Sequence, residues 1–161
     1  MTLQPTTQFT SQSAWGSLGA SGVPATITIT SAGVYVNLTL SFVTDAGEMY
    51  NMEGYGTGLK IVTGLIGVFL ANVSISTSGA ANDTLSVRFS YREDGIDYQT
   101  LGAEYDSKGG NEWAVNQSAI IKTTESSVGL GNGVFSVELA NLDSDADIVL
   151  ESFMFSVIKI Y

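Results

Sequence analysis

The chain has 161 residues, 44% of them hydrophobic and only 14% charged, which is enough apolar material for the core of one domain and too much for a disordered polymer. It contains no cysteine and no histidine, which excludes disulfides, thiolate chemistry, imidazole general bases and the commonest zinc ligands. Six basic residues against 16 acidic ones give a net charge of −10; that field repels a phosphate backbone, so nucleic acid is not expected as a partner and solubility is the plain role of the acidity.

The opening MTLQPTTQFT has neither a positive charge nor an apolar centre and does not read as a signal peptide. No stretch is apolar for long enough to span a bilayer, and no membrane partner is expected. Residues 1–24 are rich in Gln, Ser, Thr and Gly, with Phe9 and Trp15 as isolated aromatics and Pro5 and Pro24 as breakers. They suit an arm, a linker or an irregular first strand, so the expected division is an N-terminal arm or irregular segment over 1–24 and a folded domain over 25–161. Ala25 to Thr30 is a clear strand pattern, followed by a turn at Ser31 to Gly33. Val34 to Phe42 sets Val34, Val36, Leu38, Leu40 and Phe42 against Tyr35, Asn37, Thr39 and Ser41, which predicts a half-buried strand. Asp45 to Gly58 reads as a long loop, and Leu59 to Thr63 as a short strand.

Two patterned strands come next. Gly67 to Thr77 places Phe69, Ala71, Val73 and Ile75 on one face; Thr84 to Arg92 does the same with Leu85, Val87, Phe89 and Tyr91. Joined by the small polar SGAAND, they predict an antiparallel hairpin with one buried face. Glu93 to Gly110 is acidic and punctuated by glycine. Glu112 to Val115 and Ser118 to Thr123 suggest two brief strands, and Gly133 to Ala140 turns Phe135, Val137 and Leu139 inward. Asn141 to Asp145 forms a turn into the last strand, Ala146 to Tyr161. With nine or ten strands and no helical period of useful length, the chain is expected to be all-β, a jelly-roll β-sandwich in a single domain.

The last strand is apolar on both sides: Ile148, Leu150, Met154, Ile158 and Ile160 alternate with Val149, Phe153, Phe155 and Val157. Such a strand needs cover on both faces, from the same chain or from another subunit. In a chain this short the subunit is the preferred reading, with Phe153, Phe155 and Val157, together with Leu70, packing between copies.

Other candidate sites are weighed against plainer readings. Asp143, Asp145 and Asp147 alternate as calcium ligands can, but the glycine and glutamate of a calcium loop are replaced by Ile148 and Met154, so a polar turn is preferred and no metal is expected. Tyr98, Tyr105 and Trp113, with Tyr91 and the neighbouring acids, could form a stacking platform for a sugar. The same acids could make a glycosidase pair, but no spacing stands out; no catalytic residue, cofactor or enzyme activity is expected. Asn37, Asn72, Asn82 and Asn116 head Asn-X-Ser/Thr triplets, which chance supplies in a Ser/Thr-rich β-protein.

Three segments together, GVFLANVSIST at Gly67 to Thr77, TLSVRFSYREDG at Thr84 to Gly95, and VFSVELANLDSDADIVLESFMFSVIKIY at Val134 to Tyr161, resemble the trimeric jelly rolls of tailed-phage virion proteins, built like tumour necrosis factor. In that family a turn containing Gly-Asp precedes the terminal strand; here Asn141 to Asp147 stands in its place, without glycine. The resemblance implies a homotrimer whose inner sheets face a threefold axis. It would act in the virion as a capsid decoration (cement) or head-fibre protein on the outside of the shell, bound to the major capsid protein or another virion protein. The alternative is a carbohydrate- or receptor-binding module of a phage fibre, using the Tyr98, Tyr105 and Trp113 region.

Overall fold

Period-two patterning, short polar turns and β-branched residues give strands throughout. The computed structural model describes residues 13–38, 45–56, 58–62, 67–93, 96–107, 110–123 and 133–161. Its strands are β1 (Trp15–Ile27), β2 (Val36–Asn37), β3 (Asp45–Ala46), β4 (Met52–Tyr55), β5 (Gly58–Ile61), β6 (Val68–Ser78), β7 (Thr84–Glu93), β8 (Ile96–Gln99), β9 (Ala103–Asp106), β10 (Glu112–Lys122), β11 (Val134–Asn141) and β12 (Ile148–Lys159). They form two antiparallel sheets. Sheet I runs β10-β6-β12-β1-β3, and sheet II runs β4-β5-β11-β7-β8, with β2 also on β11 and β9 also on β7. This is a jelly-roll β-sandwich, with no helix among the described residues.

The expected hairpin is corrected here. β6 and β7 are consecutive but do not pair: β6 lies between β10 and β12 in sheet I, and β7 lies beside β11 in sheet II. The alternation identified the buried side of each strand: Phe69, Val73 and Ile75 of β6 and Val87, Phe89 and Tyr91 of β7 all lie in the one core between the sheets. A one-sided apolar strand fits equally beside its neighbour or face to face with it, so periodicity does not choose between the two. The core is knitted by aromatic contacts from sheet to sheet: Phe69 lies 4.9 Å from Phe135 between ring centroids, and Phe89 lies 6.1 Å from Phe155.

Several boundaries differ from those expected. Residues 15–24 run in sheet I as the irregular first part of β1, whose pairing with β12 shifts between Ser21 and Ala25. The two brief strands expected from Glu112 are one unbroken β10. Of the Val34 to Phe42 pattern, Val36 and Asn37 pair with β11 and the Leu38 amide donates to the Val137 carbonyl at 2.9 Å, while residues 39–44 lie outside the described residues. Tyr35 instead lies over sheet II: its ring sits 3.7 Å from the Arg88 guanidinium carbon, and its hydroxyl is 2.7 Å from that of Ser86.

The turn before β12 does without glycine because Asn141 builds it. The Asn141 side chain is buried; its Nδ2 donates to Asp83 Oδ2, Ser144 Oγ and the Ala146 carbonyl, and its Oδ1 accepts from the Asp143 and Ser144 amides. Asp83 lies in the β6–β7 connection, so one amide ties two turns at the same end of the sandwich. Asn141→Ala is expected to cost roughly 2–4 kcal/mol, read as a lower urea midpoint, since it strands several buried polar groups at once.

Candidate subunit interface

In sheet I the odd-numbered residues of β6 and β10 point into the core, so their even-numbered neighbours form the outer face. The register stacks that face in rows across four strands. Ile120, Leu70, Ile158 and Trp15 stand opposite one another on β10, β6, β12 and β1. The next row is Ser118, Asn72, Ser156 and Ser17, and the one after it Asn116, Ser74, Met154 and Gly19. Ala114, Ser76 and Ser152 follow on β10, β6 and β12. None of these positions carries a charge, on a chain whose net charge is −10. Ile120 is 67% exposed, Met154 63% and Ile158 45%, and Leu70 is half-buried between its two isoleucine neighbours.

Of the residues expected between subunits, Leu70 is on this face, whereas Phe153, Phe155 and Val157 are not. They are buried in the chain's own core; Phe155 is 1% exposed. The cause is a register shift in β12 between Leu150 and Ser152, where Glu151 is the extra residue opposite β6. A one-residue insertion in a period-two strand exchanges its faces. Ile148 and Leu150 point inward before the shift, and Phe153, Phe155 and Val157 do so after it. The apparently two-sided strand is therefore one continuous inner face, and the apolar residues of β12 left outside are Val149, Met154 and Ile158.

The aromatic set expected to bind a sugar is not brought together. Trp113 is buried on the inner side of β10, with its ring so close to Gly79 that a Cβ there would lie 2.8 Å from it. Tyr98 is exposed, next to the buried Tyr91. Tyr105 is half-buried, and desolvation pushes its phenol above the ordinary value. Tyr98 pairs opposite Tyr91 and Tyr105 opposite Leu85, six positions apart along β7, or about 20 Å. No common platform results.

The aspartates of the β11–β12 turn serve separate backbones. Asp143 accepts from the Thr84 amide at 2.7 Å and Asp147 from the Ile29 amide at 3.0 Å. Among the described residues no group of three acids is placed to hold a metal ion. Sequence reasoning missed the ion pair on the outer side of sheet II, where Arg88 Nε donates to the buried Glu138 at 2.6 Å beneath the Tyr35 ring. The usable signal was Glu138, which stands as the one charge within β11. The pair is neutralised where it sits and holds the Tyr35 segment against the sheet.

No protein-family model matches the chain, and no curated protein sequence does. Solved structures do. The PRD1 vertex protein P5 is similar over 92% of this chain and 97% of its own, with 16% identity and a TM-score of 0.60. Murine APRIL at pH 5.0 is similar over 92% of this chain and all of its own, with 11% identity and a TM-score of 0.59. The Eiger TNF of S. frugiperda is similar over 92% of each chain, with 12% identity and a TM-score of 0.59. The fold is thus a jelly roll of the tumour-necrosis-factor type.

Proposed function

We propose that this chain is a structural protein of a phage virion, a homotrimer carried on the outside of the shell as a decoration or head-fibre protein. It would be held there by the major capsid protein or another virion protein. The observation that carries the virion role is the likeness to a phage vertex protein along nearly the whole of both chains. The homotrimer is supported by the outer face of sheet I. Copies of a chain of net charge −10 repel one another, and juxtaposed like charges cost several kcal/mol. The uncharged, partly apolar rows of sheet I give copies a surface on which to meet without that penalty. A protein in this role works by fitting surfaces together, with no catalytic step.

Light scattering after gel filtration tests the assembly: the expected mass is three times the 16.9 kDa chain. A monomer would overturn the homotrimer. Immunogold labelling of phage particles carrying the gene tests the location; label on the outside of the shell is expected, and unlabelled particles would overturn the virion role.

A further inference from the structure

We infer that the polar row Ser118, Asn72, Ser156 and Ser17 selects the trimer among the assemblies that the apolar residues around it would allow; this rests on the homotrimer proposed above. The row lies beside the apolar level of Ile120, Leu70 and Ile158, and the level on its other side is mixed, with Met154 next to Ser74 and Asn116. Apolar contact is non-directional, so side chains of this kind hold copies together at many offsets and in more than one number. A hydrogen-bonding row is different, because its groups lose water when a second copy covers them and must then find partners.

The groups of this row have capacity to spare. Ser118 Oγ donates to Asn72 Oδ1 at 2.8 Å, which occupies the amide oxygen and leaves Asn72 Nδ2 without a partner among the described residues. The Ser156 and Ser17 hydroxyls lie in the same row and have none there either. Each copy therefore brings both a surplus donor pair and surplus acceptors to the face. The occupant that matches this uncharged row is another copy of the same chain, since an oppositely charged partner gains nothing from it. Sliding the copies by one residue pair sets part of the row against isoleucine, leucine or methionine and leaves those groups unpaired. One alignment satisfies them, as a single buried asparagine does when it fixes the register of packed helices.

Native mass spectrometry over a concentration series tests this with Asn72→Val. The residue points away from the core, so the fold is retained. The wild type is expected as a single trimeric mass. Asn72→Val is expected to stay associated but to lose that single mass, spreading over dimers, trimers and larger species, while Asn72→Ser keeps it. Ser156→Val applies the same test from β12, with the same spread expected, should Asn72→Val not be recovered in soluble form. A valine variant that remains one trimeric species overturns this inference and leaves the homotrimer standing. A variant that falls to monomers also overturns it, because the row would then be holding the subunits rather than choosing their number. A monomeric wild type fails the homotrimer itself.

Discussion

Ile158→Asp is expected to yield a folded monomer. Ile158 is at the middle of the apolar row, opposite Leu70 on one side and Trp15 on the other, and 45% of it is open to solvent in the single chain. A carboxylate there stays hydrated while the chain is alone, so the change in folding stability should remain within about 1 kcal/mol. In the trimer the same substitution would bring three new carboxylates to one face and desolvate them beside isoleucine and leucine. Each such burial costs several kcal/mol. The solution mass should drop from three chains to one, with the strand signature in circular dichroism unchanged. An unaltered trimeric mass would show that the outer face of sheet I is not where the copies meet.

Phe155→Asp should have the opposite character and leave no folded protein. The Phe155 ring is enclosed by its own chain, 6.1 Å from Phe89 and 6.3 Å from Phe153 between centroids. Losing a ring of this kind costs about 3–5 kcal/mol before any charge is considered. An unpaired carboxylate in the same place adds several more, against a total stability on the order of 5–15 kcal/mol. No cooperative thermal transition is expected. Phe155→Ala isolates the first contribution, as a lower urea midpoint in a chain that still assembles. If Phe155→Asp folded and altered only the oligomeric state, the ring would have to lie between subunits instead.

The contrast between these two residues shows what was readable in the sequence. Inward faces of β6, β7 and β11 followed directly from alternation, because each is an uninterrupted strand with large apolar residues on one side and mostly small or polar ones on the other. The terminal strand misled for a local reason: Glu151 is a single extra residue, and no residue type announces a bulge as glycine announces a tight turn. Everything after it was therefore assigned to the wrong face, and Phe155 exchanged roles with Ile158. Strand partners were hidden for a different reason. Alternation describes one strand at a time, whereas pairing depends on which apolar faces oppose across the core, and that is settled by the whole chain. Trp113 shows the same limit, since an aromatic among acids looks exposed until the partner strand turns it inward.

The place of β1 bears on how the molecule comes into being. Trp15 lies opposite Ile158 and Ile27 opposite Ile148, so β1 has its main partner in β12, the strand most distant from it in sequence among the described residues. Contacts this distant along the chain are slow to form, because a large loop must close before any pairing stabilises it. During synthesis β1 waits with its edge open, while sheet II can assemble from strands made in between. Closure of sheet I, and with it the face proposed to meet other copies, is then the final act of folding. A chain stalled before β12 has no such face to offer, so unfinished copies are kept out of the assembly by topology alone.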